Sequence, residues 1–197
     1  MTFPPVYISR VHLQSAGVYP SLRTELTALL FGEGGISSVE SGEPSPKNAL
    51  YVDIIPPGGV DESLPDALNW VRRGGLHLPV VVQANHTLIG PLTNLGYSAC
   101  LQCVGYRGAF DGATPAADAA TTDAPIDLPV LVARLVSVTV AQEVDRITDA
   151  VDALPMTLGG LIRVDHGVGT VNVAKVSQVD GCEMCSSLIE LHLQGAS

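Results

Sequence analysis

The sequence predicts an α/β fold, a doubly wound sheet with helices on both of its faces. Two observations carry this prediction. In the first ninety residues, β-rich segments alternate with segments whose apolar residues recur at helical spacing. Turns rich in glycine and proline separate these segments, which is typical of strands and helices that succeed one another over short connections.

Composition limits the classes of protein to consider. The 197 residues suit a single domain, and 46% apolar against 15% charged residues exclude intrinsic disorder. The mean hydropathy of +0.31 is high and suggests that a partner covers some apolar surface. The net charge is −10 and no basic stripe exists, so nucleic acid is not an expected partner.

Targeting signals are not recognisable. The first residues lack the basic and apolar regions of a signal peptide. The longest apolar run, Leu128 to Ala141, contains Arg134 and is too short to cross a bilayer. We therefore expect a cytoplasmic protein without a membrane contact.

The chain begins with a strand, a helix and a second strand. Val6 to Gln14 is β-rich and forms the first predicted strand. Ser21 to Phe31 has apolar residues at helical spacing, and Pro20 suits the first helical position. The glycines at 32, 34 and 35 end this helix, and Ile36 to Glu40 forms a short second strand.

The next elements complete the rhythm of the sheet. Ala49 to Ile55 is a continuous apolar run, typical of a buried strand. Asp61 to Arg73 is a predicted helix with Asp61 or Ser63 as its cap, and with a proline in its first turn. Leu78 to Gln83 is the fourth strand, so the first ninety residues are predicted to be Rossmann-like.

The second half has fewer signals. Ala109 to Asp127 is predicted to be a loop, and Leu128 to Leu154 one long helix, although its valines leave a strand open for part of it. Leu161 to Val164 and Thr170 to Val176 predict a hairpin. An apolar tail, Leu188 to Leu193, closes the chain.

The four cysteines predict a zinc site. Cys100 and Cys103 form one Cys-x-x-Cys pair, and Cys182 and Cys185 form another, 78 residues later. Two thiolates three positions apart can turn onto one ion, and two such turns complete a tetrahedron without an open position. The site would therefore be structural, joining the end of the sheet to the C-terminal hairpin. A thioredoxin-like redox pair is the alternative.

Several segments carry a resemblance to a known family. They are His77–Val80 (HLPV), Ile89–Leu92 (IGPL), Gly96–Cys103 (GYSACLQC), Val164–Gly167 (VDHG) and Cys182–Cys185 (CEMC). The chain resembles the ubiquitin-activating-enzyme-like superfamily, which includes the ThiF and MoeB adenylyltransferases. The closer resemblance is to the ThiF-like component of the azole-forming cyclodehydratases, which help YcaO enzymes to modify ribosomally made peptides (thiazole/oxazole-modified microcins). It extends from the first strand to the second cysteine pair.

The sequence departs from the active members of that superfamily at the phosphate site. Active members cradle ATP on a glycine-rich loop after the first strand, whereas Ser15 to Ser21 has one glycine, Gly17, and a proline that has no N–H. Adenylation also needs cationic side chains, and only Arg23 lies near the expected phosphate end, while Lys47 and Lys175 lie elsewhere. These departures argue against an ATP-dependent enzyme.

The remaining candidates for a site are few. If ATP and magnesium bind, the resemblance assigns Gly17, Arg23 and Asp53 to the nucleotide; the alternative for Asp53 is a solvated or hydrogen-bonded acid at a strand end. His77 and His86 flank the fourth strand as acid–base candidates or as packing residues. No fifth cysteine exists for thioester or persulfide chemistry, and no catalytic residue is assigned.

The predicted organisation is one ThiF-like domain over residues 1–197. It comprises a Rossmann-like core (1–99), the first cysteine pair and a loop (100–127), the long helix, hairpin and second pair (128–185), and a tail (186–197). Azole-type members usually carry an N-terminal winged-helix-like region that grips the leader peptide. Because the first strand starts near residue 6, we expect that region to be missing.

The function that these features predict is a zinc-stapled, non-catalytic scaffold. It would form a homodimer, or dock a YcaO-type enzyme or a peptide substrate during the modification of ribosomal peptides. The alternative is an ATP-dependent adenylyltransferase or cyclodehydratase that activates a carboxylate or a peptide. A third reading is a zinc-stabilised Rossmann domain with an unrelated role.

Overall fold

The structure, a computed structural model, describes residues 8, 10–15, 18–32, 47–94, 98–110, 127–148 and 154–195. Six strands and five helices follow one another in this part of the chain: β1 (Arg10–Ser15), α1 (Pro20–Phe31), β2 (Ala49–Ile55), α2 (Val60–Arg72), β3 (Leu76–Val82), β4 (His86–Ile89), α3 (Leu101–Tyr106), α4 (Val130–Thr148), β5 (Gly160–Asp165), β6 (Val171–Lys175) and α5 (Glu183–Gly195).

The strands form one mixed sheet in the order β1-β2-β3-β4-β5-β6. β1, β2 and β3 are parallel, and each parallel step is connected through a segment that contains a helix. β4, β5 and β6 continue the sheet in antiparallel pairs, and β5 with β6 is the predicted hairpin.

Helices cover both faces of the sheet, as predicted. Leu50 and Ile54 of β2 belong to one buried cluster with Leu22 of α1 and Val136 of α4. Alternate residues of the same strand point to the other face, where Ile55 shares a cluster with residues of α3. Because β2 is buried on both faces, it has the continuous apolar run that predicted it.

The two helices of the first half follow the prediction with one correction. α1 begins at Pro20, which takes the first helical position, and ends at Phe31. α2 begins at Val60 after Gly59, and no side chain caps it. The predicted caps, Asp61 and Ser63, are therefore wrong: both lie within the first turn, and the hydroxyl of Ser63 donates a hydrogen bond to Asp53 instead.

The second half also differs in detail. α4 spans Val130–Thr148 and is shorter than the predicted helix, since Leu154 lies outside it; the valines of this segment are helical. The apolar tail is part of α5. The predicted strand at Ile36 to Glu40, the first residues of the first strand, and most of the 109–127 loop fall outside the described residues. Within the described residues, no helix is both long and apolar enough to cross a membrane.

Candidate functional site

The four cysteines come together in the fold. Their Sγ atoms all lie within 4.8 Å of one another, and all four residues are buried. Cys100 and Cys103 are 3.7 Å apart, while Cys100 lies 3.5 Å from both Cys182 and Cys185. Four sulfur ligands at this spacing can hold a metal ion, as the sequence predicted.

Each cysteine pair stands at the start of a helix. Cys100 precedes α3, and Cys182 precedes α5, so that the second cysteine of each pair falls in the first turn. Backbone N–H groups point outward at such a turn and favour a negatively charged ligand. In the loop before α5, the backbone N–H of Val179 also donates a hydrogen bond of 3.4 Å to the Cys103 sulfur.

Two glutamines connect the pairs. The Oε1 atom of Gln102, between the first two cysteines, accepts a hydrogen bond of 3.1 Å from the backbone N–H of Met184. In the other direction, Gln178 Nε2 donates a hydrogen bond of 3.0 Å to the carbonyl of Ser98. Hydrogen bonds therefore hold the segments around the two cysteine pairs together, in addition to the contacts between the sulfur atoms.

The protonation of the thiols follows from their burial. Burial raises the pKa of Cys182 to about 11, and hydrogen bonding to Cys185 together with burial raises the pKa of Cys100 further. The thiols of Cys100 and Cys182 are therefore protonated at neutral pH in the absence of a metal, and a bound metal ion would displace their protons. The cluster would then connect α3 to α5 beside Val71 of α2, with which the cysteines pack.

Of the nucleotide candidates, the structure places Arg23 and Asp53 on opposite faces of the sheet. Gly17 lies outside the described residues. Arg23 is exposed on α1, which packs on one face of the sheet, whereas Asp53 contacts Ser63 of α2 on the opposite face. Lys47 is exposed before β2. The assignment of Gly17, Arg23 and Asp53 to a nucleotide stays a prediction.

The start of α1 carries a carboxylate that sequence reasoning missed. The backbone N–H of Ser21 donates to both carboxylate oxygens of Asp127, at 3.2 and 3.3 Å, and the hydroxyl of Ser21 donates to Oδ2 at 2.5 Å. Phosphates bind at the N-terminal N–H groups of the first helix in Rossmann-like nucleotide-binding proteins. In this chain the Asp127 carboxylate accepts the hydrogen bond of one of these N–H groups. Because the two residues are 106 positions apart in the sequence, no local pattern predicts this contact.

Asp53 and His77 lie in a buried cluster between β2, β3 and α2. Asp53 is 6% exposed, and Oδ2 accepts the hydrogen bond of Ser63 and lies 3.8 Å from Nε2 of His77. The His77 ring lies tilted at 5.4 Å from the ring of Tyr51, whose pKa is raised by burial. The His77 nitrogens make no hydrogen bond in the described part of the chain. This arrangement agrees with the packing and hydrogen-bonded alternatives.

His86 belongs to β4, one of the two central strands of the sheet. It is half-buried at the start of β4, and Nδ1 is 2.6 Å from the side-chain oxygen of Asn85. His166 lies nearby, with Nε2 at 2.9 Å from the hydroxyl of Thr87. Burial lowers the pKa of both histidines, so each is neutral at physiological pH.

Glu143 is a second buried carboxylate without a sequence signal. It is fully buried in α4, pairs with Arg146, and accepts hydrogen bonds of 3.0 Å from both the backbone N–H and the hydroxyl of Thr157. An acidic residue in an amphipathic helix predicts exposure, so only the tertiary contact explains its burial.

Exposed apolar residues lie on α4 and β6, on the side of the sheet where α1 and α4 pack; we call them the α4–β6 surface. Leu131 and Val138 of α4 are 79% and 45% exposed. On β6, Val171 and Val173 pair with residues of β5 that point to the α4 side, and both are about half exposed. Continuous patches of exposed apolar residues are typical of protein contacts.

Comparisons with known proteins show the fold. No protein-family model matches the sequence, and no curated protein matches it significantly. Among solved structures, a chain of the E. coli microcin synthetase McbBCD complex with pro-MccB17 bound is similar with a TM-score of 0.65, at 8% identity over 94% of this chain and 72% of that one. A heterocyclase in complex with substrate and cofactor has a TM-score of 0.60 at 16% identity, over 91% of this chain and 25% of the heterocyclase.

A third similar structure is E. coli MccB with MccA-N7isoASN, with a TM-score of 0.56 at 10% identity, over 90% of this chain and 66% of that one. The chain therefore spans about a quarter of the heterocyclase and about 70% of the microcin synthetase chain. These similarities show that the chain shares its fold with chains of a heterocyclase and of a microcin synthetase, and they confirm the predicted α/β class.

Proposed function

We propose that this chain is a zinc-stapled, non-catalytic scaffold of the ThiF/cyclodehydratase type, which docks a partner in the modification of ribosomally made peptides. The observation that carries the non-catalytic part is Asp127 at the start of α1. A carboxylate there repels a phosphate and already accepts the hydrogen bonds of Ser21. Pro20, at the preceding position, has no N–H to donate.

Zinc is the metal that the cysteine cluster favours. Zn–S bonds of about 2.3 Å in a tetrahedron place the sulfur atoms about 3.8 Å apart. The four closest sulfur pairs in the structure are 3.5–3.7 Å apart, so the cluster needs little movement to accept the ion. Four thiolates leave no open position, so the role of the ion would be structural: it would hold α3 and α5 against α2.

The role in peptide modification is supported by the similar structures. They are a heterocyclase in complex with substrate and cofactor, and a microcin synthetase complex with pro-MccB17 bound. Because the Asp127 carboxylate takes the Ser21 N–H at the start of α1, we place catalysis on a partner and docking on this chain. The α4–β6 surface would take a second copy of the chain or a partner enzyme.

Calorimetric titration of Mg·ATP into protein of measured zinc content tests the proposal. We expect one zinc per chain and no heat at millimolar ATP. Micromolar binding of ATP would overturn the non-catalytic reading, and protein in which α3 and α5 stay ordered without zinc would overturn the structural role of the ion. Two matched variants test the role of the carboxylate. Asp127→Asn should let inorganic phosphate perturb the Ser21 amide, whereas Asp145→Asn, near the C-terminal end of α4, should leave that amide unperturbed by phosphate.

Light scattering on a sizing column tests the docking surface. We expect the wild-type protein to dimerise, and Leu131→Asp to shift it to the monomer because the charge would be buried in the contact. Leu193→Asp, a matched change at an exposed leucine of α5, should leave the dimer unchanged. A wild-type protein that remains a monomer at high concentration would remove the homodimer and leave the partner enzyme.

The second candidate function is ATP-dependent activation of a carboxylate or a peptide. The resemblance of the sequence to the ThiF and MoeB adenylyltransferases supports it. It would place Mg·ATP near Gly17, Arg23 and Asp53, and it predicts ATP–pyrophosphate exchange with a peptide substrate. Exchange by the wild-type protein would establish this candidate, and its loss in Asp53→Asn would assign the carboxylate to the nucleotide.

A further inference from the structure

A groove runs along α2 on the face that carries the cysteine cluster. It consists of two adjoining cavities that share the side chains of Leu64 and Gln102. One cavity, of about 380 Å³, lies between the start of α2 and α3, and the other, of about 300 Å³, lies between α2 and α5. Cavities of this size can each hold a side chain of a ligand. We call this feature the α2 groove.

The walls of the α2 groove are polar and apolar in similar measure in the first cavity and mostly apolar in the second. The apolar part of the first cavity is lined by Leu64, Tyr106 and Phe110. The second is lined by Leu68 and by Met184, whose thioether adapts to different partners. Two adjoining cavities of this kind suit an extended segment with large side chains.

The floor of the first cavity holds an unpartnered donor. Gln83 follows β3, is 5% exposed, and its Nε2 atom has no hydrogen-bond partner in the part of the chain that the structure describes. A buried donor without a partner is unfavourable, so a ligand that offers an acceptor gains affinity there. A main-chain carbonyl of a peptide is such an acceptor.

The charge of the α2 groove selects against anions. Asp61 lies at one end and Glu183 at the other, both exposed, and no lysine or arginine is among the lining residues in the described chain. Asp61 and Glu62 occupy the first turn of α2, where they offset the positive end of the helix. The net charge of −10 acts in the same direction. A phosphate ligand is disfavoured and a cationic one favoured.

We propose that the α2 groove binds an extended peptide segment in which large apolar side chains alternate with lysine or arginine. The apolar side chains enter the two cavities, a main-chain carbonyl accepts a hydrogen bond from Gln83 Nε2, and a basic side chain pairs with Asp61. The inference rests on the proposed role in peptide modification, and it separates the peptide site from the α4–β6 surface.

The probe is a short fluorescein-labelled peptide of alternating leucine and lysine, titrated with the metal-loaded full chain by fluorescence anisotropy. We expect binding that weakens with salt, and about tenfold weaker binding of the same peptide with glutamate in place of lysine. Equal binding of the two peptides, or no binding of the lysine peptide, would overturn the proposal.

Two variants locate the site. Gln83→Leu removes the donor at nearly constant volume and should weaken the lysine peptide about threefold to tenfold. Asp61→Asn should weaken it about twofold to fivefold and reduce its salt dependence. Asp66→Asn, the same change at an exposed position of α2 outside the groove, is the matched control.

Wild-type affinity in both Gln83→Leu and Asp61→Asn, with unchanged circular dichroism and metal content, would overturn the α2 groove as the peptide site. That failure is distinguishable from failure of the proposed function, because the latter appears as ATP binding or as the absence of zinc in the wild-type protein. Neither readout depends on the two groove residues.

Discussion

Glu143 connects α4 to the turn before β5, and Glu143→Ala is expected to lower the free energy of unfolding by about 3 kcal/mol. The carboxylate is fully buried, and it accepts hydrogen bonds from both the backbone N–H and the hydroxyl of Thr157. Thr157 is itself buried, and its carbonyl accepts a hydrogen bond of 2.9 Å from Leu92 N–H. The contact therefore fixes α4, this turn and the segment after β4 together.

The magnitude follows from what the substitution leaves behind. Two donors of Thr157 lose their acceptor in a buried place, at about 1–3 kcal/mol each, and water that enters the space left by the side chain recovers part of this. Arg146 contributes less, since its side chain is 28% exposed and can reach water once the ion pair is lost. Glu143→Gln keeps one acceptor oxygen and should cost about 1–2 kcal/mol.

Urea unfolding followed by circular dichroism measures the change, and thermal unfolding should show a drop of about 6–12 °C in Tm. Thr157→Val alone should cost about 1 kcal/mol, and the double variant should cost less than the sum, by about 1 kcal/mol. Asp145→Asn, at an exposed position of the same helix, is the control. A free energy of unfolding for Glu143→Ala within about 0.5 kcal/mol of wild type would refute the reasoning.

Three further predictions concern other parts of the fold. Chelation of the metal should abolish amide protection in α3 and α5 while α4 stays protected in hydrogen-exchange mass spectrometry, because the cysteine cluster and the α1–α4 core are separate. Burial lowers the pKa of His12, His86 and His166, so the folded protein binds fewer protons than the unfolded chain below about pH 6.5, and urea midpoints should fall from about pH 7.5 to about pH 5.5. Gly90→Ala should destabilise by about 1–3 kcal/mol, since φ is +91° and the added Cβ would lie 2.8 Å from Thr157 Cγ2.

Matched changes control these predictions. Uniform loss of protection on chelation would contradict the separation of the two clusters. His166→Gln should flatten the pH dependence below about pH 6.5, and an unchanged slope would remove this histidine from the effect. Gly74→Ala has a similar positive φ of +89° but open space around its Cβ, so it should cost less than Gly90→Ala. If Gly74→Ala and Gly90→Ala lower the free energy of unfolding equally, the contact with Thr157 does not contribute to the destabilisation.

Local patterns in the sequence predicted most of the elements of the fold. The apolar run of β2, Pro20 at the start of α1 and the hairpin of β5 and β6 each follow from residues close in the chain. The cysteine cluster was also predictable over 78 residues, because four thiols in two pairs have few other uses. The start of α2 was not, since Gly59 precedes the helix and no side chain caps it.

Long-range polar contacts were beyond the sequence. Asp127 lies in a segment whose composition predicts a loop, and only the packing of α4 against α1 brings it to Ser21. Glu143 belongs to an amphipathic pattern in which an acid indicates the solvent side. Both contacts join residues whose partners have no periodic relation to them, so neither composition nor spacing contains the information.

The hydrogen-bond capacity that the fold leaves open indicates where a ligand can bind. Two groups that would serve a nucleotide are engaged within the described chain, the Ser21 N–H by Asp127 and the Asp53 carboxylate by Ser63. In contrast, Gln83 Nε2 is buried without a partner in the described residues and faces a cavity of about 380 Å³. Trp70 Nε1 is also unpartnered there, but its cavity is about 180 Å³ and too small for an extended chain. An unpaired buried donor such as Gln83 Nε2 gains a hydrogen bond when a ligand adds an acceptor, whereas the Ser21 N–H would first have to give up its bond to Asp127. A peptide carbonyl in the α2 groove is therefore favoured over a phosphate at the start of α1.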